Sequence, residues 1–182
     1  MLSISRVIAA LVLSIATLAA PTIDAMQYVS RVRKEDAHDD GIWSVAWSAN
    51  GQIVTGSCDE VVQTYMVHGQ QIEKKHELRG HHLGVTSVSV SAEGNLAASS
   101  ALDSHIRLWD LEKGEEVRTI DAGPVEAWTV AVSPDGATVA SGRDRIVLWD
   151  LAGKKVRATH DVLNGNVKQL HYLPGGDLLT LA

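Results

Sequence analysis

His81, Ser99, Asp103 and Trp109 are the residues of this chain whose types could do chemistry together. A serine, a histidine and an aspartate are the ingredients of nucleophilic acyl transfer: the imidazole takes the hydroxyl proton and the carboxylate orients the imidazole. Two related sets occur elsewhere. His38, Thr55, Asp59 and Tyr65 lie upstream; Ser141, Asp144 and Trp149 lie downstream, with Gly123 where a third histidine would fall. A hydrolase needs one such set, whereas a repeated scaffold needs one per repeat. The recurrence assigns these residues to bracing, in which buried polar groups satisfy one another instead of each costing about 1–3 kcal/mol. No catalytic residue is expected, and the chain is read as not an enzyme.

Other ligand sets are weaker. His76, His81 and His82 could be drawn as a metal cluster, but adjacent positions point apart and no carboxylate or cysteine stands at zinc spacing, so no metal is expected. Gly153-Lys154 lacks the upstream glycine and the Ser/Thr of a phosphate loop. No cofactor is implied.

The elements that must position these sets are short strands separated by turns. Between Gly80 and Leu111 the chain opens on Gly-His, closes on Trp-Asp and alternates β-type runs with turn residues. With Val88 as a register mark, Val45, Val130 and Leu170 are its counterparts, spaced by 43, 42 and 40 residues. Six residues after each mark stands a glycine, Gly51, Gly94, Gly136 and Gly176, ending the turns SANG, SAEG and SPDG and a fourth from Leu173. A final glycine there takes positive φ at no steric cost. The patterns predict strands over 42–47, 52–56 and 61–66, then 85–90, 95–99, 105–111 and 115–120, then 127–132, 138–141 and 145–151. Residues 70–78 are polar and read as a loop leading into an outer strand that ends near Leu78.

A repeat of about 40–45 residues with these punctuation marks resembles the WD40 repeat family. The resemblance implies an all-β fold, a partial β-propeller of four-stranded antiparallel blades, and hydrogen-bonded tetrads in place of the triad. The repeats fall at about 38–78, 81–120 and 123–160, with an incomplete one at 163–182. Three repeats and a fragment do not close a ring, since propellers need about four blades or more and this family is implied to have about seven. The chain is therefore read as a truncated product or incomplete gene prediction, or as one that assembles with other chains. A more specific likeness is carried by MQYVSRVRKEDAHDDGIWSVAW, LRGHHLGVTSVSVS and AASSALDSHIRLWDLEKGEEVRTIDAGPVEAWTVAVSPDG. These stretches resemble the family of small WD40 subunits of the superkiller RNA-decay complex, which is shared with the RNA polymerase II-associated factor complex. That likeness runs from about Met26 to Gly136. It implies a non-catalytic protein–protein interaction scaffold in messenger RNA decay or transcription elongation, in the nucleus and cytoplasm, with a helical-repeat scaffold subunit as partner.

Two residues before each register mark stand Trp43, Thr86 and Trp128, at the mouth of the first strand of each repeat. Exposed tryptophans are enriched at interface hot spots, so these positions, extended by Glu60, Leu102 and Arg143, are the expected partner-binding rim.

Composition agrees with such a scaffold. Hydrophobic residues make up 45% of the 182, enough for a core, with five tryptophans and no phenylalanine. The net charge of −6 provides no basic field for nucleic acid, so no direct nucleic-acid contact is expected. One cysteine, Cys58, excludes an intrachain disulfide and reads as a small residue in a tight connection. Residues 1–25 have the layout of a secretory signal peptide, with Arg6 before the apolar run 7–20 and small residues at Ala19, Ala20 and Ala25. The run is short for a membrane span. Either the segment directs export, giving an exported propeller-like binding or hydrolase module, or it is an extension upstream of a start at Met26. The likeness beginning at Met26 favours the extension, and no membrane association is then expected.

Overall fold

The computed structural model describes residues 34–123, 127–162 and 165–182. The signal-like segment, the start at Met26 and the basic run from Arg31 to Arg33 lie outside the described residues. All regular structure among the described residues is strand: β1 Ile42–Trp47, β2 Gln52–Ser57, β3 Val62–His68, β4 Gln71–Leu78, β5 Val85–Val90, β6 Leu96–Ala101, β7 His105–Asp110, β8 Glu115–Asp121, β9 Thr129–Val132, β10 Thr138–Gly142, β11 Arg145–Asp150, β12 Lys155–Asp161, β13 Gln169–Tyr172 and β14 Leu178–Leu181. They form three four-stranded antiparallel meanders, β1–β4, β5–β8 and β9–β12, and a hairpin, β13–β14.

The turns explain the meanders. Gly51, Gly94, Gly136 and Gly176 have φ of 84°, 72°, 68° and 91°, and each N–H closes the turn on the carbonyl three residues back, that of Ser48, Ser91, Ser133 and Leu173. The expected glycine turns are thus built alike in all four sheets.

One expectation needs correction. The outer strand expected to end near Leu78 does end there, but no loop leads into it: β4 pairs with β3 from His68↔Gln71 to Val62↔Leu78. Backbone pairing with β3 determines this strand, and an outer strand with its flanks in water tolerates Glu73, Lys74, Lys75 and Glu77, so no apolar alternation advertised it. In the third sheet the first strand is shorter than expected, leaving Ala127 and Trp128 before β9.

The sheets stack with their first strands adjacent, β1 against β5, β5 against β9 and β9 against β13. Three apolar cores fill the gaps. Val54, Val62 and Leu78 meet Val85, Val88, Trp109 and Leu111; Ala98, Ile106 and Leu108 meet Val130, Val132 and Val139; Ala131 and Ala140 meet Val167 and Leu170. Serines stitch the inner strands. Ser44 Oγ accepts the Val88 N–H at 3.0 Å, Ser87 Oγ that of Val130 at 3.2 Å and Ser89 Oγ that of Val132 at 3.0 Å. At Gly56 a Cβ would stand 2.5 Å from Val85 Cγ1, so glycine is what lets the first two sheets approach there. Among the described residues the four sheets do not close into a ring.

Candidate functional site

The second sheet brings all four of its expected residues together. His81 lies in the connection before β5, Ser99 on β6, Asp103 in the β6–β7 turn and Trp109 on β7. His81 Nδ1 donates to Asp103 Oδ2 at 3.0 Å, and its Nε2 meets Ser99 Oγ at 2.7 Å. Because the carboxylate only accepts, Nε2 is left to accept the Ser99 proton. Trp109 Nε1 then donates to the same Ser99 oxygen at 2.8 Å, with the two rings in an edge-on contact at 6.3 Å. Asp103 also accepts the backbone N–H groups of His82 and His105, both at 3.0 Å.

The polarity is that of a nucleophilic triad, yet Ser99 is 0% exposed and Trp109 1%. An acyl substrate cannot reach that hydroxyl, and the indole N–H occupies its lone pair. The hydrolase reading therefore has no nucleophile in this set. Burial pushes the His81 pKa below the ordinary histidine value, against the pull of Asp103. Burial alone would raise the Asp103 carboxyl, but the His82 N–H and His81 outweigh it and hold the pKa below the usual aspartate value.

The first sheet repeats this geometry with one substitution. His38 Nδ1 donates to Asp59 Oδ2 at 2.8 Å and Nε2 meets Thr55 Oγ1 at 2.7 Å. Asp59 accepts from the N–H groups of Asp39 and Val61 at 3.0 Å, matching Asp103. Tyr65 occupies the tryptophan position, but its hydroxyl reaches Gln63 Oε1 at 2.5 Å and the Ala37 carbonyl at 3.1 Å. Burial raises its pKa to about 12, so it remains a neutral donor.

The third sheet keeps only half of the set. Trp149 Nε1 donates to Ser141 Oγ at 2.9 Å, but Asp144 does not join them. Its side chain is 57% exposed and its Oδ1 lies 4.0 Å from Arg143 Nε. Ser141 and Trp149 are eight positions apart where Thr55 and Tyr65, and Ser99 and Trp109, are ten apart, and without a histidine at Gly123 no imidazole bridges carboxylate to serine. Asp144 was expected in this brace and is not part of it.

The rim residues sit at the end of the sheets that carries these histidines. Trp43 and Thr86 each occupy a β-bulge at the start of a first strand, between Ile42 and Ser44 and between Val85 and Ser87; bulges re-aim a side chain. Trp43 is 52% exposed, Trp128 45% and Leu102 45%. The Trp43 ring lies against Gly84, and the Leu102 N–H bonds to the Gly84 carbonyl at 3.0 Å, so Trp43 and Leu102 share a patch. Leu83, next to Gly84 in the chain and 49% exposed, is a further exposed apolar side chain in this connection that the sequence reading missed; a leucine beside Gly84 in a polar connection was the available signal. Arg143 covers the Trp128 ring at 5.9 Å. Glu60 is exposed in the β2–β3 turn. Thr86 is half-buried, with its hydroxyl 3.1 Å from that of Ser100, so it contributes least to the rim. Cys58 flanks the patch, its N–H bonded to the Gly41 carbonyl.

Among the described residues no group of three histidine, cysteine or carboxylate side chains converges as metal ligands would, and His81 is committed to Ser99 and Asp103. Two surface grooves, of about 380 and 470 Å³, open at the other end of the sheets and include neither a tetrad nor a rim residue.

Comparison with known proteins agrees with this architecture. The WD domain, G-beta repeat family matches residues 30–65, 72–110 and 114–150. A WD repeat-containing protein SL1-17 of Schistosoma mansoni is 40% identical over 120 residues, 63% of this chain and 40% of that protein. A WD repeat-containing protein VIP3 of Arabidopsis thaliana is 31% identical over 133 residues, 69% of this chain and 41% of that protein. Superkiller complex protein 8 of Dictyostelium discoideum is 36% identical over 92 residues, 49% of this chain and 30% of that protein. The chain thus spans about two-fifths of the length of the first two of these relatives.

Proposed function

Because this chain belongs to the WD40 repeat family, we propose that it is a non-catalytic protein-interaction scaffold that binds a partner through the rim carrying Trp43 and Trp128. The carrying observation is the contrast between tryptophans: Trp109 is 1% exposed inside its brace, whereas Trp43 and Trp128 are 52% and 45% exposed at equivalent strand entrances. Large aromatic side chains in the open, with few rotatable bonds, give contact area at little entropic cost.

The finer reading is membership of the superkiller messenger RNA-decay complex, the polymerase-associated elongation complex or both, in cytoplasm and nucleus, with a large helical-repeat subunit as partner. The likeness to Superkiller complex protein 8 supports it. In a binding assay with such a subunit, Trp43→Ala and Trp128→Ala should each weaken affinity by about tenfold or more. Thermal midpoints should stay near wild type, because neither ring fills a core. Unchanged affinity in both variants would refute the rim assignment; a loss of folding would show the tryptophans to be structural.

A further inference from the structure

We infer that Asn50 is a site of self-modification: when its turn opens, the Gly51 nitrogen displaces the side-chain amide, and the joint between the first and second sheets loosens. Asn50 is exposed in the turn that Ser48 and Gly51 close. The glycine after it has no Cβ to shield the backbone nitrogen, which makes this asparagine reactive toward its own main chain. The step needs only water. Gly51 N loses its proton to solvent and bonds to Asn50 Cγ, the Cγ–Nδ2 bond breaks, and ammonia leaves behind a cyclic imide. Water then opens the imide. Cleavage at Cγ gives aspartate, and cleavage at the Asn50 main-chain carbonyl gives isoaspartate, with the chain rerouted through the side chain.

The closed turn withholds this reaction. The Gly51 N–H donates to the Ser48 carbonyl at 3.1 Å, and Asn50 Oδ1 accepts from Ser48 Oγ and, at 3.3 Å, from the Gln52 N–H. Nitrogen and carboxamide must both leave these partners before they meet, so the rate follows how often the turn opens. The same amide fastens the neighbouring sheet. Asn50 Nδ2 donates to the Glu93 carbonyl at 3.4 Å, and a Cβ at Gly94 would stand 2.7 Å from either terminal atom of the amide. At the corresponding turn of the third sheet, nothing lies within 4 Å of a Cβ at Gly136.

The two products differ in what they undo. Aspartate suits the turn itself: Asp135 holds the equivalent place in the third sheet and accepts from Ser133 Oγ at 2.5 Å and the Ala137 N–H at 3.0 Å. It removes the donor to Glu93 and sets a carboxylate against that carbonyl. Isoaspartate adds a methylene carbon to the main chain, so the closure of Gly51 on Ser48 and the pairing of Trp47 with Ile53 lose their register. A brief opening is thereby converted into a lasting change.

The test is peptide mapping by mass spectrometry of the full chain at mildly alkaline pH, native and in denaturing urea. Asn164-Gly165, the chain's other Asn-Gly pair, supplies the reference rate in the urea sample. Asn50 should match that reference in urea and convert at least about tenfold more slowly in the native chain. Ser48→Ala removes the hydroxyl bonded to Asn50 and Gln52 and should speed native conversion about three- to tenfold. Dilute urea below the unfolding transition should leave the native rate nearly unchanged, because opening one turn exposes little surface. The purified isoaspartate form should unfold at lower urea than wild type, with Asn50→Asp between them. A native rate equal to the urea rate, one unaltered by Ser48→Ala, or no detectable native conversion over weeks would overturn the inference. So would a rate that climbs with dilute urea in step with global unfolding, or an isoaspartate form as stable as wild type.

Discussion

Replacing Asp103 with alanine is expected to cost about 2–5 kcal/mol of folding stability. The figure follows from what the carboxylate holds. Oδ2 accepts from His81 Nδ1 and from the His82 N–H, and Oδ1 accepts from the His105 N–H, each at 3.0 Å. The His81 side chain is 0% exposed, so its N–H would be left buried without an acceptor, at about 1–3 kcal/mol. His82 and His105 lie nearer the surface, where water replaces the lost acceptor, adding about 0.5–1 kcal/mol each. The matched control is Asp144→Ala. That aspartate occupies the corresponding turn of the third sheet but is 57% exposed, with Arg143 Nε 4.0 Å from its Oδ1, so its loss should stay within about 0.5 kcal/mol. Urea unfolding followed by tryptophan fluorescence gives both numbers as midpoint shifts at constant slope. A loss under about 1 kcal/mol for Asp103→Ala, or equal losses for the two aspartates, would refute the bracing argument.

Acidification should destabilise the fold in two windows. The folded His81 pKa is depressed, so its contribution is complete above the unfolded value near 6.5 and is lost as pH falls toward the folded value. Asp59 and Asp103, also depressed, contribute fully above about 3.8 and lose that contribution as pH falls through their lowered values. A urea midpoint that is flat or rises between about pH 7 and 5 would contradict the first window. Gly56→Ala should cost about 1–3 kcal/mol through the Val85 and Val88 contacts at 2.5 and 2.9 Å, with partial rescue by Val85→Ala. Gly51→Ala meets nothing within 4 Å and carries only the strain of φ +84°, about 1–2 kcal/mol, so Val85→Ala should not rescue it.

Much of this architecture was legible in the residues, for reasons that also explain the failures. The register marks and glycine turns are local backbone chemistry, and all four glycines adopt the positive φ their spacing implied. The brace centred on His81, and the His38, Thr55 and Asp59 part of the first, were readable because those members are of the required types. Asp144 failed although its type was right: the shortened turn and the missing histidine remove the geometry that gives an aspartate its role. Tyr65 kept the position of the aromatic but not its partner, since a phenol projects its hydrogen farther from Cβ than an indole edge and in another direction. The start of β4 was not legible, although its end near Leu78 was, because both its flanks are largely solvated and burial left little periodic mark on its sequence. The serine stitches were overlooked, although Ser44 and Ser87 immediately precede their register marks; a hydroxyl inside an alternating strand is unremarkable until the neighbouring sheet supplies an N–H.

The family's repeat segments and the sheets are out of phase by one strand. Residues 72–110 begin on β4, the outer strand of the first sheet, and end on β7 of the second, and 114–150 repeat the offset one sheet later. A ribosome emitting this chain therefore never releases a finished unit. When β4 emerges, the first sheet can pair its strands, but Val54 and Val62 wait for Val85, Val88 and Trp109 before their back face leaves water. Synthesis moves one exposed apolar face forward by about forty residues at a time, each face being covered by the sheet made next. A chaperone attending such a product would meet the same kind of surface repeatedly, at a position that advances with translation.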